Sequence, residues 1–166
     1  MKKKAYRILR LMLIFSFVLL FSLEPGNQVV DAAADSDFAP DFTLKDLKGN
    51  DVRFGDYKGR TTLLYFMATW CPTCREAIPH LKEIHARYSG KGLVFFNIAV
   101  EETREKIADY SKRRDLPYPV LLDTDGKVSK RYGVFGVPVM ALVNSEGRII
   151  CWNCRSIDEL LEKQFK

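Results

Sequence analysis

Runs of apolar residues from residue 36 onward divide the chain into strands and helices. Two short alternating segments, at residues 42–44 and 52–54, flank a turn at 48–51 and predict a β-hairpin. The apolar runs at 61–67 and 93–100 are continuous, which is typical of strands that are covered on both faces of a sheet. These two runs therefore predict the centre of the sheet.

Helical spacing follows the first of these buried strands. Ile78, Leu81, Ile84 and Tyr88 recur every three or four residues and predict an amphipathic helix. The later pattern predicts a charged helix at 103–115, a strand at 118–122, a short helix at 127–132, an antiparallel hairpin of 139–143 with 148–152, and a final helix at 156–165. This order predicts an α/β fold with a central mixed β-sheet flanked by helices and an N-terminal β-hairpin extension.

The first 34 residues have the pattern of a targeting signal. A basic segment at 1–10 precedes 13 apolar residues at 11–23, and small residues follow at 32–34. Thirteen helical residues span about 20 Å, which is short of the roughly 30 Å of a bilayer core. The pattern predicts a secretory signal peptide, with an uncleaved membrane anchor as the alternative. Either one would place a single domain, residues 35–166, outside the cytoplasm.

Composition and charge exclude several classes of protein. The 166 residues are 47% hydrophobic and 28% charged, which is close to the globular average and excludes a disordered chain. The net charge is +5, but five of the 26 basic residues and two of the 21 acidic residues lie in 1–34, so the remainder carries only +2. We therefore expect no nucleic-acid partner, since that would require a basic patch on the folded domain.

The first cysteine pair, Cys71 and Cys74, lies where the buried strand passes into the helix. Pro72 suits the first helical position, and this places Cys71 at the N-cap, where backbone N–H groups and the helix dipole stabilise a thiolate. Cys74 lies one turn further and is expected to be shielded. We predict that Cys71 attacks a substrate disulfide and that Cys74 resolves the mixed disulfide. Trp70, Pro72 and Thr73 are expected to face the substrate.

These motifs resemble those of the thioredoxin superfamily, and in particular the extracytoplasmic oxidoreductases of the TlpA, ResA and CcmG type. The resemblance covers residues 36–165, and its elements are APDF at 39–42, FMATWCPTC at 66–74, Arg75, Pro79 and GVFGVP at 133–138. It implies a thioredoxin-like fold and a cis bond between Val137 and Pro138, which would position the substrate.

The resemblance also implies a task, which is the reduction of disulfides in exported proteins. The haem-attachment cysteines of apocytochrome c are one expected client. The expected electron donor is a membrane thiol carrier of the CcdA or DsbD kind. The sequence gives no sign of a metal or cofactor, and we expect a monomer.

Three positions depart from the family pattern. Tyr65 stands where thioredoxins usually have a buried Asp, Ala77 stands where the cytochrome-maturation relatives usually have Glu, and Val139 follows the expected cis-proline in place of an acidic residue. The proton acceptor for Cys74 is therefore open. Glu101 and Glu102 are candidates, because the strand that they follow ends on the active-site side of the sheet.

A second pair, Cys151 and Cys154, follows the last strand. If Val143 opposes Arg148 in the hairpin, Met140 opposes Cys151, and the pair lies at the same end of the sheet as the expected cis-proline. Three interpretations stay open: a local structural disulfide, an auxiliary redox couple for Cys71 and Cys74, and free thiols or metal ligands. A capping box from Ser156 to Glu159 predicts that the final helix begins just after this pair.

Two other functions share some of these features. A thiol peroxidase of the peroxiredoxin family would use one reactive cysteine against hydrogen peroxide, but usually has its resolving cysteine elsewhere. A non-enzymatic metallochaperone of thioredoxin fold would use a CxxxC motif and a distant histidine. The spacing of Cys71 and Cys74 favours the oxidoreductase over both.

Overall fold

The computed structural model of the chain describes residues 38–154 and 156–166. The predicted signal or anchor at 1–34 and the domain boundary at residue 35 lie outside these ranges. Of the helices within them, none combines the length and the apolar character needed to cross a membrane.

A seven-stranded mixed sheet forms the centre of the described residues. The strands are β1 (Thr43–Asp46), β2 (Asp51–Arg53), β3 (Thr62–Met67), β4 (Val94–Val100), β5 (Val120–Asp123), β6 (Val139–Val143) and β7 (Ile149–Trp152). Their order in the sheet is β2-β1-β5-β4-β3-β6-β7. The neighbours β3 and β4, and β4 and β5, are parallel, whereas the other neighbouring pairs are antiparallel. The predicted mixed sheet and the N-terminal hairpin are confirmed.

The helices lie close to their predicted positions. They are α1 (Pro72–Glu76), α2 (Ile78–Tyr88), α3 (Arg104–Arg114), α4 (Lys127–Arg131) and α5 (Asp158–Gln164), with 3-10 turns at Phe54–Tyr57 and Ser89–Lys91. The predicted apolar stripe of α2 is buried along its whole length. Thr103 caps α3 by accepting a hydrogen bond from the backbone N–H of Lys106.

Two hydrophobic cores cover the two faces of the sheet. Leu63 of β3 lies on the face that α2, α3 and α5 cover, and Leu64 lies on the face that α4 and the N-terminal hairpin cover. Both side chains are fully buried. Successive side chains of a strand point to opposite faces, so a strand between two cores needs apolar residues at every position. This explains the continuous apolar run of β3, every residue of which is buried.

The predicted register of the last hairpin is wrong. Val143 pairs with Ile149 and Leu142 pairs with Cys151, with a register shift between the two pairs. The turn is tighter than the pattern suggested, because the Asn144 side chain accepts hydrogen bonds from backbone N–H groups of Glu146 and Arg148. Met140 consequently does not oppose Cys151.

The predicted capping box of the final helix is also wrong. The N-cap of α5 is Ile157, which makes no side-chain capping bond, and Ser156 lies outside the helix. Ile157 is 2% exposed and packs in the same core as Leu161. Burial of this isoleucine therefore fixes the start of the helix.

Candidate active site

Cys71 and Cys74 are joined in a disulfide at the N-terminus of α1. Cys71 is the N-cap, and its sulfur accepts a hydrogen bond from the backbone N–H of Cys74 at 3.1 Å. Pro72 occupies the first turn, where its missing N–H leaves no unsatisfied donor. The predicted N-cap is confirmed, and the N–H group that holds Sγ in the disulfide also lies in place to stabilise a thiolate.

The disulfide lies just below the surface. Cys71 is 3% exposed and Cys74 is fully buried, whereas Trp70 is 68% exposed and Pro72 and Thr73 are exposed. The predicted shielding of Cys74 is confirmed. The exposed neighbours form a rim above Cys71, and a partner that attacks this disulfide has to contact that rim.

The chain segment before β6 lies against the disulfide from the other side. The Val137–Pro138 peptide bond is cis, as the resemblance implied, and the carbonyl oxygen of Val137 lies 3.6 Å from Sγ of Cys71. This contact joins residues 66 positions apart. It forms because β6 is the direct neighbour of β3, the strand that leads into the cysteine pair.

A groove of about 470 Å³ is lined by Trp70, which precedes Cys71 in the chain, and by Val137, whose carbonyl contacts Cys71. Trp70, Phe135 and Val137 contribute its apolar surface, and Phe135 is 95% exposed. Glu101 and Lys130 line it as well, with 3.6 Å between their charged groups. The pattern of hydrophobic residues did not single out Phe135. Its position in a loop between two glycines, where a core aromatic residue is unusual, was the available signal.

Glu102 is buried directly below the cysteine motif. Its carboxylate accepts hydrogen bonds from the backbone N–H of Thr69 at 2.7 Å and from the Thr69 hydroxyl at 2.6 Å, and Lys106 donates a further one. Burial works to raise the pKa of Glu102, but the hydrogen bonds from Lys106 and Thr69 outweigh it, and the pKa lies below its ordinary value. Glu102 is therefore a carboxylate that fixes the residue two positions before Cys71.

Glu101 has a different environment from its neighbour. Its side chain is 60% exposed and forms a loose pair with Lys130 at the rim of the groove. The structure thus separates the two candidate proton acceptors. One lies beneath the cysteine motif, and the other faces solvent.

A buried polar cluster lies beneath the active site, in the core that α2 and α3 cover. The hydroxyl groups of Tyr65, Tyr110 and Tyr118 and the amide oxygen of Asn97 have no hydrogen-bond partner among the described residues. Burial raises the pKa of Tyr65 far above its ordinary value, and the neighbouring hydroxyls of Tyr118 and Tyr110 add to this effect. Tyr65 therefore stays neutral and does not replace the carboxylate usual at its position. Sequence reasoning did not identify the other three members.

The second cysteine pair forms its own disulfide, with 5.8 Å between the Cα atoms of Cys151 and Cys154. Both cysteines are half-buried and pack against the core that contains Cys71 and Cys74. The backbone N–H of Cys154 donates to the carbonyl of Met140 at 3.3 Å. Trp152 lies on the opposite face, where it stacks on Tyr132.

The described ranges contain no group of three or more histidine, cysteine, aspartate or glutamate side chains that could hold a metal ion. His80 lies 3.3 Å from Asp158, and His85 packs against Phe95 and Tyr118. Burial keeps the pKa of His85 below its ordinary value.

Comparison with known proteins places this geometry among redox proteins. Residues 36–151 match the profile of the AhpC/TSA family. Over 112 residues the chain is 33% identical to the thiol-disulfide oxidoreductase ResA of Bacillus thuringiensis, which corresponds to 68% of this chain and 65% of that relative. The chain thus spans slightly less than two thirds of that relative.

Two solved structures have the same arrangement of the sheet and helices. The first is a thiol:disulfide interchange protein DsbE from Chlorobium tepidum, with a TM-score of 0.69 and 29% identity, covering 78% of this chain and 93% of that one. The second is a secreted Mycobacterium tuberculosis disulfide oxidoreductase homologous to Escherichia coli DsbE, with a TM-score of 0.65 and 25% identity over 74% of this chain and 92% of that one. The expected thioredoxin-like fold is confirmed.

Proposed function

The chain belongs to the AhpC/TSA family, and we propose that it is an exported thiol–disulfide oxidoreductase that reduces disulfides in exported proteins. The observation that carries this proposal is the position of Cys71. Its sulfur sits at the N-cap of α1, accepts the N–H of Cys74, and forms a disulfide with the cysteine one turn later. The ResA and DsbE relatives support the same chemistry.

The reaction follows from two cysteines that are held close enough to form a disulfide with each other. In the reduced protein the Cys71 thiolate attacks one sulfur of the client disulfide, and the other client sulfur leaves as a thiolate and takes a proton. Cys74 then loses its proton and attacks Sγ of Cys71, which breaks the mixed disulfide and releases the second client thiolate. The second client thiolate also takes up a proton from solvent, so the client has gained two electrons and two protons, and Cys71 and Cys74 are again a disulfide.

The groove beside Cys71 supports binding of an extended client segment. We propose that Trp70 and Phe135 contact apolar client residues, and that the backbone at Val137, held by Pro138, orients the chain next to the attacked sulfur. Pro72 and Thr73 complete the surface. The loop before β6 contributes Phe135 and Val137 to this surface, so the client would contact both sides of the disulfide.

Glu102 has a positioning role in this proposal. Three donors already occupy its carboxylate, and its pKa is lowered, so it is a poor acceptor for the proton of Cys74. It instead holds Thr69, and through Thr69 the start of the cysteine motif. Glu101, which is exposed, would exchange protons only through solvent.

The place of action and the partners rest on the N-terminal pattern and on the relatives. The basic and apolar segments at 1–23 support export, and one structural relative is described as secreted. We propose exported proteins as clients, with the haem-attachment cysteines of apocytochrome c as one class. A membrane thiol carrier of the CcdA or DsbD kind would supply the electrons to a monomeric protein.

Reduction of a disulfide-bonded CxxCH peptide by the full-length protein in detergent tests the proposal, with dithiothreitol as the electron source. Above the rate at which dithiothreitol alone reduces the peptide, we expect turnover by the wild type and none by Cys71→Ser. After removal of dithiothreitol, reduced Cys74→Ser should form a trapped mixed disulfide with the peptide. Cys151→Ser/Cys154→Ser is the matched control, because it also removes thiols but should keep turnover with this small reductant.

Turnover that survives Cys71→Ser would overturn the proposal. Consumption of hydrogen peroxide without reduction of the peptide would instead support the peroxidase. Binding of copper without either reaction would support the metallochaperone.

A further inference from the structure

We propose that Cys151–Cys154 is a second redox-active disulfide, through which electrons enter the protein and pass to Cys71–Cys74. This inference rests on the proposed function, because it supplies the same active-site pair. It assigns to the second pair the auxiliary redox role among the interpretations that the sequence left open.

The two disulfides lie on the same face of the sheet. Leu142 of β6 pairs with Leu63 of β3 on one side and with Cys151 of β7 on the other, and residues that pair directly point to the same face. That face carries the core to which Cys71 and Cys74 belong. A single strand, β6, separates the two pairs.

The two disulfides also lie at the same end of that strand. Cys154 is hydrogen-bonded to the carbonyl of Met140, and Cys71 contacts the carbonyl of Val137, only three residues earlier. Three extended residues span about 10 Å. The two pairs also lie on opposite sides of β6, and two strand spacings are about 10 Å. A disulfide between the pairs requires Cα atoms within about 7 Å, so the exchange requires the end of β7 and the turn after it, residues 151–154, to move towards Cys71.

Exposure separates the roles of the two pairs. Cys71 and Cys74 are 3% and 0% exposed, whereas Cys151 and Cys154 are half-buried. The second pair lies at the end of β7, which is one of the two edge strands of the sheet. A dithiol donor therefore reaches Cys151–Cys154 more easily than the active-site disulfide.

A purely structural role explains this position less well. The disulfide spans a sequence separation of 3, and a cross-link over so short a loop removes little entropy from the unfolded chain. It joins no distant elements, since both cysteines belong to one strand end and the turn after it. Burial of Ile157 and Leu161 already anchors the helix that follows.

The transfer balances without a further reactant. An external dithiol reduces Cys151–Cys154 and is itself oxidised to a disulfide. One thiolate of the reduced pair attacks Sγ of Cys71, the Cys71–Cys74 bond breaks, and Cys74 takes up a proton. The remaining cysteine of the second pair loses its proton and attacks its partner. This restores Cys151–Cys154 and leaves Cys71 as a thiolate, which takes up the second proton.

Counting of delivered electrons tests the relay. The full-length protein in detergent is fully reduced, freed of reductant, and mixed with an excess of the disulfide-bonded CxxCH peptide. We expect wild type to reduce two peptides per protein, Cys151→Ser/Cys154→Ser to reduce one, and Cys71→Ser/Cys74→Ser to react at least tenfold more slowly than wild type. Alkylation and peptide mass spectrometry at each time point should show both wild-type pairs becoming oxidised.

Three results would overturn the relay. The first is that wild type reduces only one peptide per protein. The second is that Cys151–Cys154 stays oxidised under conditions that reduce Cys71–Cys74. The third is that Cys71→Ser/Cys74→Ser reduces the peptide as fast as wild type. The first two outcomes are decided on the wild type alone, by counting reduced substrate peptides and by mass spectrometry of its alkylated cysteines, even if a variant does not fold. If Cys151→Ser/Cys154→Ser folds but reduces no peptide at all, the proposed function itself fails, which is a separate result.

Discussion

Replacement of Glu102 by glutamine tests whether this buried carboxylate holds the cysteine motif in place. The two hydrogen bonds from Thr69, at 2.7 and 2.6 Å, end on a charged acceptor. Glutamine has one acceptor oxygen, so the Thr69 N–H would donate to it and the Thr69 hydroxyl would have to turn and accept from the amide N–H. Hydrogen bonds to charged groups contribute about 1.5–3 kcal/mol and neutral ones about 0.5–1.5 kcal/mol, so each bond should weaken by about 1 kcal/mol. Lys106 is half-exposed, and its ion pair adds less than about 1 kcal/mol.

We therefore expect Glu102→Gln to lower the free energy of unfolding by about 2–3 kcal/mol at pH 7. Urea unfolding of the oxidised full-length protein, followed by circular dichroism, measures this value. Glu101→Gln is the matched control, because it changes the same residue type at the next position but removes only an exposed pair, worth less than about 0.5 kcal/mol.

The effect should depend on pH in a defined direction. The folded pKa of Glu102 lies below its ordinary value of 4.5, so its stabilisation is fully present above about pH 5. It is lost as the pH falls through the folded pKa, and the difference between wild type and Glu102→Gln should shrink there. A loss at pH 7 no larger than that of Glu101→Gln, or a difference that stays constant down to pH 3, would refute the reasoning.

Three further substitutions probe the cores and one turn, each measured by urea unfolding. Tyr65→Phe removes a buried hydroxyl without a partner among the described residues and should leave stability unchanged or raise it by about 1 kcal/mol; a loss above about 1 kcal/mol would contradict this. Burial lowers the pKa of His85, so wild type should lose stability as the pH falls below 6.5, and His85→Gln should lose less. Parallel pH profiles of the two proteins would contradict this expectation. Gly126 has φ +66°, and an added Cβ would lie 2.5 Å from Oε1 of Glu101. Gly126→Ala should therefore lower the free energy of unfolding by about 1–2 kcal/mol, and Glu101→Ala should restore part of that loss. Equal losses in the presence and absence of Glu101→Ala would contradict the contact.

The central part of the fold could be predicted because its signals are local or periodic. A strand between two cores needs apolar residues throughout, and the run at 61–67 shows this directly. The N-cap position of Cys71 followed from Pro72, which restricts the backbone at one point of the chain. The placement of the first cysteine pair at a helix start therefore needed no tertiary information.

The errors occurred where several distant groups compete for one position. The register of β7 depended on the side chain of Asn144, and the start of α5 depended on the burial of Ile157. Neither effect has a periodic pattern. The choice between Glu101 and Glu102 likewise depended on backbone geometry, since the two residues are adjacent in sequence but lie in different environments.

The sequence by itself determined the order of strands and helices, the identity of the cysteine pair and its position at a helix N-terminus, because each follows from residues within one or two turns of chain. Only the tertiary structure decided what surrounds that pair. It brought Val137 to Cys71, buried Glu102 beneath Thr69, and set Cys154 beside Met140. These contacts depend on which strands are neighbours and in which register, and such pairing is settled by packing over the whole sheet rather than by any local segment.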